Sequence, residues 1–184
     1  MQLFMSDEKK MMRLLSDAKT VRKGFEMLVN LYSERLYWQI RRIVVSHDDA
    51  DDVLQNTFIK AWLNIGTFEN KSKISTWLSR IAINEAIDFV HRKHRTDNVS
   101  ADENLAVSKQ LLADEYFDGD ETQAQLQEAI AQLPPVQRAV FNMRYFEEMK
   151  YSEMSEILGT SEGALKASYH LAVKKIETYF KQHD

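Results

Sequence analysis

Asp48-Asp49-Ala50-Asp51-Asp52-Val53-Leu54-Gln55-Asn56-Thr57-Phe58-Ile59-Lys60-Ala61-Trp62 is the stretch that decides how this chain is read. Four aspartates crowd its first five positions. Val53, Leu54, Thr57, Phe58, Ala61, Trp62 and then Ile65 follow at three- and four-residue spacing. That spacing is the apolar stripe of an amphipathic helix. The aspartates fall at its start, where unpaired backbone N–H groups favour negative charge. Gly66 closes the run, and a polar loop over 67–73 carries one aromatic residue, Phe68. A second amphipathic run over about 75–94 places Trp77, Leu78, Ile81, Ala82, Ala86, Phe89 and Val90 on its apolar side. It ends in His91, Arg92, Lys93, His94 and Arg95. Residues 71–95 hold six Lys/Arg and two acids, a net of +4. An acidic helix start and a basic helix end thus lie in one sequence-local unit, which suggests two partners of opposite charge.

Working outward, 184 residues allow one or two domains with real cores. The net charge of -4 is unevenly spread. Residues 97–128 contain nine acids and one lysine, a net of -8, so the remainder is basic at +4. Cysteine is absent, which excludes a disulfide framework, a thiolate metal site and a cysteine nucleophile. No stretch has the length and apolarity of a membrane span, so no membrane insertion and a cytoplasmic location are expected.

Residues 1–19 are Met-rich and short of strong signals; Met11, Met12, Leu14 and Leu15 suit one helical turn or two. A long helix is expected over 20–45, from Phe25, Leu28, Val29, Tyr32, Leu36, Trp38, Ile40, Ile43 and Val44. Residues 96–120 read as an acidic linker. Its Leu105, Val107, Leu111, Leu112, Tyr116 and Phe117 suit either docking on a partner or a short helix packed on a neighbouring domain. Helical pattern resumes over 121–133. Pro134 and Pro135 interrupt it, and Pro135 suits the first turn of the next helix, to about 145. A short helix over 151–158, Gly159 as its terminator, Thr160-Ser161 as turn and N-cap, and a helix over about 162–180 make a helix-turn-helix pattern. No convincing strand is found. The expected fold class is all-α, with two small helical domains (1–95 and 121–184) joined by the linker.

Candidate sites divide between bland and sharp readings. The aspartates lack the glycine and distal glutamate of a calcium loop, so helix electrostatics explains them better than a metal. His91 and His94 lie among Arg92, Lys93 and Arg95, a field that repels cations, so phosphate contact is preferred. No metal and no cofactor is expected. Trp62 and Trp77 are expected as core anchors. Phe68 is either tucked against its domain or a stacking platform for an unpaired base. On the last helix Lys166, His170, Lys174, Lys175 and Lys181 face outward, with Ala164, Ala167 and Ser168 permitting close approach. That face suits DNA, against the alternative of a solvated lysine-rich end. The inward positions of these helices are apolar, which argues against a carboxylate enzyme site in a bundle core.

The residues also resemble a known family. Asp51 through Trp62 resemble region 2.2 of sigma-70 family RNA polymerase sigma factors. Phe68, Ser75, Thr76, Trp77, Leu78, Arg80, Ile81, Ala82 and Asn84 resemble regions 2.3 and 2.4. Leu133, Pro134, Gln137 and Arg138, with Tyr151, Glu153, Met154, Ile157, Leu158, Gly159, Ser161, Gly163, Leu165 and Lys166, resemble region 4. Order and spacing are similar to the short extracytoplasmic-function subgroup. The resemblance implies a non-enzymatic sigma factor that binds core RNA polymerase through its beta and beta-prime subunits and supports transcription initiation. Asp52, Gln55 and Asn56 would meet the beta-prime clamp helices. Phe68, Lys71, Lys73, Trp77, Arg80 and Asn84 would melt and read the minus-ten element as single strand. Ser161, Lys166, Ala167, His170 and Lys174 would meet the minus-thirty-five duplex. An anti-sigma factor is a further candidate partner. The chain departs from the family pattern at Asn56, Glu69, Asn70, Lys150, Ser168 and Leu171, so the bases read do not follow from the sequence. A stand-alone helix-turn-helix regulator is the alternative, and it leaves the unit at 48–95 without a task.

Overall fold

The computed structural model describes residues 2–69, 71–96 and 120–183. The linker expectation and Asn70 lie outside the described residues. Among those described the fold is all helical, with no strand. The helices are α1 Gln2–Leu15, α2 Val21–Val44, α3 His47–Asn64, α4 Ile74–Thr96, α5 Glu121–Ala131, α6 Pro135–Tyr145, α7 Tyr151–Leu158 and α8 Glu162–His183. A single 3₁₀ turn, Ile65–Thr67, follows α3.

α1 is longer than its sequence signals suggested. Met11 is fully buried, and the end of the helix lies so close to α2 that a Cβ at Gly24 would stand 2.7 Å from the backbone N of Leu15. The bare backbone at Gly24 is what allows that approach. α2 runs through the middle of the first unit and buries Leu28, Tyr32, Leu36, Ile40 and Ile43. α3 and α4 pack against it and against each other in antiparallel sense. Lys60 pairs with Glu85 at one end of this hairpin, and Lys93 pairs with Asp49 at 2.8 Å toward the other. The acidic start of α3 and the basic end of α4, expected to face separate partners, therefore lie side by side. Antiparallel pairing of two adjacent helices brings the first turn of one beside the last turns of the next.

α5 to α8 form the second unit. Pro135 occupies the first turn of α6, Gly159 ends α7 at φ 63, and the Ser161 hydroxyl accepts from Ala164 N at 3.3 Å to cap α8. The left-handed φ at Gly159 is where a Cβ would be strained. Leu165, Ala172, Ile176 and Tyr179 form the inward side of α8. Val136, expected inward, is 47% exposed, whereas Ala139, Val140 and Met143 are buried as expected.

The two units are not separate bodies. Ala139, Val140, Met143, Met154, Ile157 and Leu165 share one continuous hydrophobic core with the helices of the first unit. A smaller cluster around Ile130, Leu133, Phe141 and Ile176 belongs to the second unit alone.

Candidate functional site

The first candidate surface lies along the α3–α4 hairpin. Asp52, Gln55 and Asn56 are exposed on α3 because the stripe Ala50, Val53, Thr57 and Ala61 turns inward. Ser46 caps the helix by accepting from Asp49 N at 3.5 Å. The three residues line one groove together with Asp49 and, from α4, Phe89, Arg92 and Lys93. The groove is polar and mixed in charge, with an aromatic residue among its walls. Sequence reasoning located its α3 side; the α4 side is supplied by the antiparallel pairing.

Trp62 corrects an expectation. It is 42% exposed rather than a core anchor, and only its edge-to-face contact with Phe25, at 5.0 Å between centroids, ties it down. Ile59 and Leu63 are exposed beside it in sequence, so this face of α3 carries apolar surface. α3 packs on α2 through a narrow stripe of small residues, and Trp62 lies at the margin of that stripe.

The second surface runs from the loop before α4 along that helix. Phe68 is half-buried, with its ring centroid 5.3 Å from that of Trp77, and both pack against the core. Lys71, in an ion pair with Glu69, and Lys73 are exposed beside them. Arg80, Asn84, Asp88, His91 and Arg95 are exposed at intervals of three and four residues, which places them on one face of α4. That face ends in a cleft lined by Asp88, His91, Arg92, Arg95 and Pro135 from the start of α6. Among the described residues no group of acids and histidines is arranged to hold a metal.

The third surface is the outer face of α8. Lys166, Ala167, His170 and Lys174 are all exposed, with Leu171 beside them at 49%. Lys166 Nζ stands 5.6 Å from the centroid of the Tyr151 ring on α7, and the Arg144 guanidinium stands 5.3 Å from the same ring. These are cation–π distances, so the Lys166 head is tethered rather than free. Lys175 donates to Gln137 at 2.9 Å, tying α8 to α6. Ser161 is exposed and its hydroxyl is engaged in the cap.

Sequence reasoning missed the junction between the units. Arg138, only 4% exposed, donates to the backbone carbonyls of Ile43, Ala131 and Leu133. Burial lowers its pKa to about 10. Asn142 Nδ2 donates to Arg42 O at 2.9 Å. Gln39 donates to the Glu147 carboxylate, which also lies 3.9 Å from Arg35, and Arg42 stands 4.8 Å from the Phe146 ring centroid. Burial raises the Glu147 pKa against the Gln39 hydrogen bond and the charges of Arg35 and Arg42. Polar residues of this kind carry no burial signal in a sequence.

Comparison with known proteins agrees with this architecture. Residues 28–96 match the family model described as Sigma-70 region 2, and residues 123–176 match Sigma-70, region 4. The chain is 32% identical over 165 residues to the ECF RNA polymerase sigma factor SigW of Bacillus subtilis (strain 168), covering 83% of this chain and 88% of that one. It is 30% identical over 141 residues to the RNA polymerase sigma factor SigV of the same organism, covering 77% and 81%. The fold is similar to that of the sigma factor RpoE of Bartonella quintana, solved with the anti-sigma factor NepR. The TM-score is 0.67 at 21% identity, covering 86% of this chain and 98% of that one. It is similar also to CnrH, solved with the cytosolic domain of CnrY, at TM-score 0.67 and 20% identity, covering 97% and 99%. A stand-alone regulator has no use for region 2, and that alternative falls. The chain belongs to the sigma-70 family, among its ECF RNA polymerase sigma factors, and acts with RNA polymerase on promoter DNA in transcription initiation.

Proposed function

We propose that this sigma factor docks on core polymerase through the α3–α4 groove, with Asp52, Gln55 and Asn56 as its principal contacts. The observation that carries this reading is their placement on one groove, exposed and without a role in the apolar packing. The same groove offers Arg92 and Lys93 beside the acids, so it suits a partner surface that itself carries both charges. A patterned surface of this kind contributes register and specificity more than raw affinity.

Residues 1–95 form the polymerase- and minus-ten-binding unit, 96–120 the linker, and 121–184 the minus-thirty-five-binding unit. Phe68 and Trp77, flanked by Lys71 and Lys73, suit the unpaired bases of the minus-ten element. Arg80 and Asn84 continue that surface along α4. An aromatic pair beside basic side chains fits stacking plus phosphate attraction. Lys166, Ala167 and His170 read duplex in the major groove from α8, and Lys174 meets the backbone. The protein works in the cytoplasm and by binding rather than by catalysis. No helix among the described residues is long and apolar enough to cross a membrane. The two solved neighbours were captured with anti-sigma proteins, and a partner of that kind is proposed here too.

Run-off transcription with purified core polymerase tests the reading. The wild-type chain directs transcripts from a cognate promoter, and a chain with Asp52→Ala and Gln55→Ala does so poorly. Equal transcript from both would remove the groove from the docking role.

A further inference from the structure

The two DNA-reading surfaces are exposed, yet the units that carry them are packed on one another through a shared core. A minus-ten and a minus-thirty-five element lie about 25 base pairs apart, or about 85 Å at about 34–36 Å per helical turn. A compact chain of this length has a radius of gyration of about 16 Å, so its full width is about half that span. The packed form can offer its surfaces one at a time and cannot engage both elements together.

The polar part of the junction is built unlike the rest of the interior. α2 ends at Val44, and its last carbonyls have no partners within the helix. Arg42 O and Ile43 O accept instead from Asn142 and Arg138 of α6. Helix α2 is thus capped by side chains of the other unit. Among the described residues, the buried side-chain polar atoms without a protein hydrogen-bond partner are Gln39 Oε1, Arg138 Nε and Asn142 Oδ1. All three belong to this junction. A native interior leaves few such groups, and each one weakens the closed state relative to one in which water can reach it. Opening would return α2 carbonyls and these three atoms to water, while the apolar share of the junction needs a new cover.

Resting on the two-element promoter reading above, we propose that Glu147, with Gln39, Arg35 and Arg42, forms a latch that keeps the free chain closed. The latch releases when core polymerase engages the chain. Closure sets the avidity of the protein for its promoter. Two linked modules gain from linkage only when geometry lets both bind at once, and the closed form forbids that. The apparent affinity of the free chain for a two-element promoter is reduced by the fraction that is closed. Charge on Glu147 selects this arrangement, because Arg35 and Arg42 approach the same carboxylate from α2.

The absence of native cysteine makes the test direct. Cysteines placed at exposed Lys23 on α2 and exposed Glu177 on α8 accept a donor and acceptor dye in the full-length chain. The free wild-type protein should show one high-transfer population. Core polymerase with a two-element promoter should shift it to low transfer. Glu147→Lys sets like charge against Arg35 and Arg42, and should move the free chain to low transfer with helicity unchanged. Adding Arg35→Glu should restore high transfer, which separates latch release from simple misfolding. A free wild-type chain already at low transfer would overturn the proposal, as would a Glu147→Lys chain that stays closed. High transfer in complexes that make run-off product would overturn the latch and spare the promoter reading. Failure of the wild-type chain to make product would overturn the promoter reading and the latch with it.

Discussion

Arg138, on α6, donates its guanidinium to the carbonyl of Ile43 in the last turn of α2, a bond between residues 95 positions apart. The same head group holds Ala131 O and Leu133 O at the bend between α5 and α6. One side chain therefore closes a helix end in the first unit and fixes the entry of α6 in the second. Arg138→Ala should destabilise the chain strongly, because each buried acceptor left without a donor costs about 1–3 kcal/mol. Arg138→Lys should recover only part of this loss, since a single ammonium does not reproduce the planar fork. Chemical denaturation checks both, and a loss under about 1 kcal/mol for Arg138→Ala would show that water replaces the guanidinium at no great cost.

A methyl group at Gly24 meets backbone on both sides, Leu15 N at 2.7 Å and Leu14 C at 2.9 Å. Neither atom can swing aside as a side chain would. Gly24→Ala should push α1 away from α2 and cost about 1–3 kcal/mol as overpacking does. The midpoint of thermal unfolding should fall, and protease should reach the α1–α2 turn sooner. An unchanged midpoint would mean that α1 shifts without penalty.

Lys166 is held near Tyr151 on the exposed face of α8, one turn from His170. If it reads a base edge, Lys166→Ala loses about 1–3 kcal/mol of discrimination at one base pair. Holoenzyme binding to a panel of minus-thirty-five variants measures this. A loss uniform across the panel, with the salt slope falling by about one unit, would assign Lys166 to phosphate instead.

Much of this fold was legible because its helices announce themselves by period and punctuation. Pro135, Gly159 and Ser161 each stand where the sequence placed them, and the α3 and α4 stripes face inward. α1 was not legible, since the burial of Met11 depends on the close approach permitted at Gly24. Trp62 misled because a large aromatic at an inward-facing period reads as core, whereas it lies at the margin of the stripe. The α3 side of the groove was visible in Asp52, Gln55 and Asn56; its α4 side depends on helix pairing that no local pattern records. Gln39, Asn142 and Glu147 read as ordinary surface residues, and only tertiary packing buries them.

The junction should respond to pH through Glu147. Burial raises this carboxyl above its ordinary 4.5, and the Gln39 hydrogen bond and the Arg35 and Arg42 charges offset that rise only in part. The closed form therefore holds the proton more tightly than an open, hydrated one. This contribution to closure is fully present below about 4.5 and is lost as pH rises through the raised value. Transfer between labels at Lys23 and Glu177 should be higher at acid than at neutral pH. Glu147→Gln should flatten the dependence, and an unchanged slope in that variant would assign it to another group.

Binding of the full-length chain to purified core polymerase, without DNA, tests the docking claim most directly. Asp52 and Gln55 are exposed on α3 and make no contribution to its apolar stripe, so replacing both with alanine should leave helicity and unfolding midpoint in place. The account predicts markedly weaker binding of Asp52→Ala with Gln55→Ala to core, through faster dissociation. Core affinity equal to that of the wild-type chain, at equal helicity, would contradict it.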